Sequence, residues 1–238
     1  MAAVKALLLD LDDTLLDYSG GADACWRGSC EAVAAPAGVD AGALGAAIEA
    51  ARQWFWSDPE RHRRERTDMI RAWAKIAALG LDRLGVNADG LGRRIAEDFA
   101  ARRCAAERLF PDALATLEWL RERAVRLGLV TNGDARLQRD KIARHGLARF
   151  FDVMVIEGEF GCGKPDARVF RHALGALGAD ARGAWMVGDH LTWDVDGAQR
   201  VGLSAVWIDR ARGGLPLGSS VQPDRIIHVL DELRDLAT

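Results

Sequence analysis

Five short, nearly continuous apolar runs constrain this chain more than any other feature: Val4–Leu9, Val125–Val130, Val153–Ile156, Ala184–Val187 and Ala205–Ile208. A strand that alternates apolar and polar residues has one face in water. A strand that is apolar throughout needs cover on both faces, as in a parallel sheet with helices packed on either side. The segments between the runs supply such helices. Residues 166–177 place Val169, Phe170, Ala173, Leu174 and Leu177 on one stripe, with Asp166 at the start and Gly178 just past the end. Those are the residue types that cap a helix. Residues 134–145 repeat the arrangement between Asp134 and Gly146. Strands alternating with helices predict an α/β fold with a doubly wound, Rossmann-like parallel sheet.

The alternation breaks once. The first run ends near Asp10 and the next begins near Val125, and roughly 90 residues between them read as helix, too many for a loop in a compact domain. Helix candidates are 22–35, 40–56, 66–80 and 89–103. The expected organisation is an α/β core of 1–15 and 108–238 with a helical domain, 16–107, inserted after the first strand. Phe110-Pro111-Asp112 then opens a helix, with proline near its first turn.

Composition narrows the function classes. The chain has 238 residues, enough for a substantial core, and its 49% apolar content excludes disorder. No apolar stretch approaches the ~18 residues of a membrane span. The N-terminal sequence reaches aspartates after a short apolar run and carries no signal-peptide cleavage pattern, so a cytoplasmic protein is expected. A net charge of −3, with 13 basic against 14 acidic residues over 15–107, gives no field for nucleic acid or an anionic membrane. Cys25, Cys30, Cys104 and Cys162 have neither metal-ligand spacing nor the density of a disulfide framework, and free thiols are expected.

In open α/β sheets, ligands bind at the carboxyl ends of the strands. Polar residues crowd those ends here: Asp10-Leu11-Asp12-Asp13-Thr14, Thr131-Asn132-Gly133, Gly163-Lys164-Pro165, and Gly188-Asp189-His190 followed by Asp194 and Asp196. Asp10, Asp12, Asp189 and Asp194 would repel one another if ionised at one rim. A hard divalent cation resolves that, and Mg²⁺ favours a few carboxylates together with water and phosphate oxygens. The hydroxyl of Thr131 and the ammonium of Lys164 nearby suit a dianionic phosphoryl group. Two carboxylates at i and i+2 permit a division of labour, with Asp10 attacking phosphorus and Asp12 moving the proton.

These four segments, taken together and in order, resemble the haloacid dehalogenase superfamily. DLDDT resembles its DxDxT motif, VTNG its hydrophobic-Thr-Asn-Gly motif, KPD its lysine motif and GDHLTWD its GDxxxxD motif. The resemblance covers about residues 10–16 and 108–238. Members with a second aspartate, like Asp12, resemble Mg²⁺-dependent phosphatases, and true dehalogenases lack it. The resemblance implies Asp10 as the nucleophile forming an aspartyl-phosphate, and Asp12 as general acid and base with its backbone carbonyl on Mg²⁺. It implies Thr131 and Lys164 as phosphate ligands, with Lys164 also restraining Asp10, and Asn132 beside them. Asp189 and Asp194 complete the implied metal set. The helical insertion resembles the family's C1 cap, which shapes substrate choice.

Several residues have plainer readings. Asp13 and Asp17 are expected as loop and capping residues, Asp196 as a charge in a helix first turn, and Cys162 as an inert thiol. His190 stands where the family often has a small polar residue. The run Arg61-His62-Arg63-Arg64-Glu65-Arg66 reads as a solvated helix end. Trp26, Trp54, Phe55, Trp56 and Trp73 are mostly expected in helix packing, with at least one ring exposed. An exposed ring could stack on a flat base or isoalloxazine. The expected substrate is therefore a small phosphorylated metabolite, with a tilt toward nucleotide or flavin monophosphates. Competing readings are a 2-haloacid dehalogenase, a phosphomutase and a phospho-accepting binding module.

Overall fold

The computed structural model describes residues 5–236, so Val4 lies outside the described residues. The chain divides into two compact units. One takes the chain up to Asp17 and resumes at Arg108, and the other is Tyr18–Glu107.

The Tyr18–Glu107 unit is helical: α1 (Ala22–Ser29), α2 (Ala41–Ser57), α3 (Pro59–Glu65), α4 (Met69–Arg83) and α5 (Leu91–Ala106). Past α1 the chain runs through a π-type turn at Cys30–Ala34 and a 3₁₀ turn at Ala35–Ala37, and Gly38 at φ 80° ends it. Asp40, Asp58 and Asp68 cap α2, α3 and α4 by accepting hydrogen bonds from Ala43, Arg61 and Arg71 backbone N–H groups. The Asp68 cap is why α4 starts at Met69 instead of 66.

Helix α3 was not anticipated by the spacing. The run Arg61–Arg66, expected as a solvated helix end, closes a short helix of its own that Pro59 and the Asp58 cap start. Its last residue, Glu65, is buried and paired at 2.6 Å with Lys75. Trp26, Phe55, Trp73 and Phe99 join Leu44, Ile48, Ile76 and Ile95 in the core of this unit. Trp26 stacks on Phe99 at 3.9 Å, and Trp73 meets the same ring edge-on at 4.9 Å. Phe55 is buried, whereas Trp54 is 51% exposed with the Arg61 guanidinium 4.0 Å over its ring.

The other unit holds β1 (Ala6–Leu9), β2 (Leu16–Asp17), β3 (Arg108–Leu109), β4 (Arg126–Thr131), β5 (Val153–Ile156), β6 (Ala184–Gly188), β7 (Ser204–Ile208) and β8 (Arg225–Ile227). Its helices are α6 (Ala113–Glu122), α7 (Ala135–Arg144), α8 (Glu157–Phe160), α9 (Ala167–Leu177) and α10 (Gly197–Gln199). Among the described residues the main sheet has six strands in the order β5-β4-β1-β6-β7-β8, every pair parallel. This is the expected doubly wound α/β arrangement, with β1 in the middle.

Two details depart from expectation. Leu16 and Asp17 form a strand paired antiparallel with Arg108 and Leu109, so the helical unit starts at Tyr18 instead of 16. The edge strand β8 is also additional. Helix α9 shows how the sequence builds the layer: Asp166 accepts from Arg168 N at 2.9 Å, and Gly178 at φ 58° closes the far end. Between them the predicted stripe from Val169 to Leu177 is buried in one cluster with Leu8, Val130 and Met186 of the sheet.

Candidate active site

The topology brings the carboxyl ends of β1, β4 and β6 together, because β1 pairs on one side with β4 and on the other with β6. Asp10 follows β1, and its N–H donates to the Val187 carbonyl at 3.0 Å. Thr131 is the last residue of β4, and Asp189 follows β6.

Lys164 is the centre of the arrangement. Its side chain is 2% exposed, and its Nζ lies 2.5 Å from Asp10 Oδ1 and 2.6 Å from Asp194 Oδ1. A buried ammonium is costly unless paired, and here it has two carboxylates. The backbone of Lys164 is fixed by Asn132, whose Oδ1 accepts from Lys164 N at 2.7 Å and whose Nδ2 donates to Lys164 O at 3.0 Å. Both ends of the Asn132 amide are thus engaged with Lys164, so its side chain positions the lysine. Asp194 is held by the His190 N–H, which donates to its Oδ2 at 2.9 Å. Gly188 makes that approach possible, since a Cβ there would collide with the Asp194 carboxyl group.

Carboxylate oxygens of Asp10, Asp189 and Asp194 lie within 4.8 Å of one another. Burial, reinforced by the charges of Asp194 and Asp12 and opposed by Lys164, pushes the Asp10 carboxyl up to about 7. Burial and the charges of Asp10, Asp194 and Asp13 push Asp189 up to about 9. Burial works against the Lys164 charge, but Asp10 and Asp194 outweigh it and hold the ammonium above its ordinary range. Three carboxylates thus gather around the Lys164 ammonium. The donor set is all carboxylate oxygen, with no thiolate or imidazole, which fits a hard cation such as Mg²⁺.

The Asp12 carboxylate points elsewhere. Lys141 Nζ lies 2.8 Å from each of its oxygens, and Gln138 Nε2 donates to Asp12 Oδ2 at 3.0 Å. Gln138 also donates to Thr131 Oγ1 at 2.6 Å. The expected role of Asp12 toward a metal concerned its backbone carbonyl, and its side chain is not part of the three-carboxylate group. Lys141 and Gln138 were missed in the sequence. One signal existed: Lys141 is, like Lys164, one of only four lysines in a chain with 32 Lys and Arg.

The flanking residues have local roles. Asp13 adopts φ 59° in the turn after β1, and Asp17 lies in β2. His190 Nδ1 accepts from Trp193 N at 3.2 Å, and the two rings stack at 3.8 Å. Asp196 ends a π-type turn, Leu191–Asp196, instead of lying inside a helix first turn, and pairs with Arg200 at 2.6 Å. All four cysteines are free thiols, and burial raises that of Cys162.

Residues 4–202 match the model of the haloacid dehalogenase-like hydrolases, and the chain belongs to that family. It is 35% identical to a phosphoserine phosphatase of Thermus thermophilus, over 97% of this chain and 98% of that protein. It is 32% identical to a glyceraldehyde 3-phosphate phosphatase of Methanopyrus kandleri, over 98% and 99%. The fold is similar to a HAD-hydrolase structure, YfnB from Bacillus subtilis bound to magnesium, with TM-score 0.77 and 22% identity over 99% and 100% of the two chains. Within the family the chain falls among the phosphatases, the phosphoric monoester hydrolases.

Proposed function

We propose that this chain hydrolyses a small-molecule phosphate monoester with Mg²⁺, through an aspartyl-phosphate on Asp10. The observation that carries the reading is the Lys164 ammonium, buried and gripping Asp10 and Asp194, beside a third carboxylate, Asp189. The ammonium aims the Asp10 carboxylate and leaves a net negative cluster that a divalent cation balances.

Asp10, Asp189 and Asp194, with the Asp12 backbone carbonyl, would hold Mg²⁺, and the ion would neutralise charge on the phosphoryl oxygens. Thr131 and Lys164 bind those oxygens. An Asp10 carboxylate oxygen attacks phosphorus, the bond to the leaving oxygen breaks, and Asp12 delivers a proton to that oxygen. Water then attacks the aspartyl-phosphate, Asp12 takes the water proton, and the bond between phosphorus and Asp10 breaks to release phosphate. Positioning and charge neutralisation supply most of the acceleration in such reactions.

The substrate reading shifts from the one the aromatic residues favoured. Trp26, Phe55 and Trp73 are packed among helices, and the exposed Trp54 ring carries the Arg61 guanidinium 4.0 Å over one face, which leaves little aromatic surface for a flat base. Two relatives matched over nearly their full length are named for phosphoserine and glyceraldehyde 3-phosphate, both three-carbon phosphates, which supports a small aliphatic phosphomonoester.

Phosphate release from a panel of aliphatic, sugar and nucleoside monophosphates, with Mg²⁺ and with EDTA, tests the reading. Mg²⁺-dependent release that Asp10→Asn abolishes is expected, with a three-carbon phosphate preferred. Release undiminished by EDTA would remove the metal from the reaction, and halide release from 2-haloacids without phosphate release would replace the function.

A further inference from the structure

Gln138 and Lys141 belong to none of the four motifs, yet both are buried on α7 and both reach the side chain of Asp12. Helix α7 starts directly after the Thr131 segment, with Asp134 capping Leu137 N at 3.0 Å. The i, i+3 spacing puts residues 138 and 141 on one face of that helix. Lys141 Nζ contacts both Asp12 oxygens at 2.8 Å. Gln138 Nε2 adds a contact to Oδ2 alone at 3.0 Å, while also meeting Thr131 Oγ1 at 2.6 Å and Asn132 O at 3.1 Å.

A carboxylate has four lone-pair directions, two on each oxygen. Lys141 and Gln138 together fill both on Oδ2 and one on Oδ1. One direction on Oδ1 remains, and the Asp12 side chain is 23% exposed. We propose that Lys141, with Gln138, is a positioning residue that fixes the Asp12 carboxylate so that Oδ1 carries the transferred proton. Lys141 acts through Asp12, both of whose carboxylate oxygens its Nζ contacts. This inference rests on the reading of Asp12 as general acid and base.

The chemistry gives a readout that a merely structural residue would not move. An alkoxide leaving group needs a proton from Asp12 as its bond to phosphorus breaks. A p-nitrophenolate leaving group departs as a stable anion and does not. Loss of Asp12 alignment therefore slows phosphoryl transfer from an alkyl phosphate far more than from p-nitrophenyl phosphate. General acid catalysis is worth roughly 100- to 10,000-fold.

The experiment compares wild type, Lys141→Met, Lys141→Arg and Asp12→Asn, each with Mg²⁺. The readouts are kcat and KM for phosphoserine and the first-turnover burst of p-nitrophenolate, which reports transfer to Asp10 alone. Lys141→Met leaves no unpaired ammonium behind, and Lys141→Arg keeps the charge as a control on folding. Expected for Lys141→Met is a kcat on phosphoserine reduced about 100-fold with KM little changed, a burst rate within about tenfold of wild type, and partial recovery in Lys141→Arg. Leaving-group selectivity in Asp12→Asn but equal losses on both substrates in Lys141→Met, or an effect confined to KM, would overturn the positioning role alone. Wild-type hydrolysis of phosphoserine by Asp12→Asn would overturn the acid–base reading, and this inference with it.

Discussion

Lys164 stays charged in the interior because Asp10 and Asp194 meet it from two sides, whereas burial and the charges of Asp10 and Asp194 outweigh Lys164 at Asp189 and raise its carboxyl. A carboxyl that ionises less readily when folded than when unfolded stabilises the fold while it is protonated. For Asp10 and Asp189 that contribution is complete below about pH 4 and is lost as the pH rises through their raised values. The metal-free protein is therefore expected to lose thermal stability between pH 5 and about pH 9, and Asp189→Asn to flatten that decline while abolishing activity. Thermal unfolding in EDTA across that range checks it, and a melting temperature that rises with pH would contradict the electrostatics. At this scale, Asp10 and Asp189 were legible because each directly follows a strand, and Thr131 because it ends one, where topology collects ligands, whereas Lys164 lies beyond α8 and Asp194 in the turn after β6, where the motifs marked them. Lys141 and Gln138 were not. A polar residue in the middle of an amphipathic helix usually faces water, and only the fold shows that this face of α7 meets Asp12.

Elements were legible where periodicity ran long enough to be read. The α9 stripe, its Asp166 cap and its Gly178 stop all stand where the spacing puts them. Phe170 is fully buried at the centre of that stripe, among the sheet residues beneath it. Phe170→Ala should lower the unfolding free energy by about 3–5 kcal/mol through lost burial and the cavity left behind. Chemical denaturation measures it, and a loss below about 1 kcal/mol would mean that the helix does not depend on this contact. Strands β2, β3 and β8 escaped notice because runs of two or three residues carry no period. Helix α3 escaped because its charged sequence, PERHRRE, has almost no apolar stripe; its start is specified by Asp58 and Pro59. The helical unit as a whole was evident from the absence of strand patterning, but its boundary moved to Tyr18 when β2 paired with β3.

At the scale of the molecule, the parallel order β5-β4-β1-β6-β7-β8 is what assembles the chemistry. Residues 10, 131 and 189 are distant in sequence and become neighbours because the central strand β1 lies between β4 and β6, and Asn132 holds Lys164 beside them. Among the described residues no helix is long and apolar enough to cross a membrane. The central claim is that Asp10 carries the phosphoryl group. Acid-quenching the enzyme during turnover of a phosphomonoester, followed by peptide mass spectrometry, tests it most directly. One acid-stable, hydroxylamine-labile phosphoryl group is expected on the peptide containing Asp10, and none in Asp10→Asn. A phosphoryl group on any other residue, or undiminished turnover by Asp10→Asn, would contradict it.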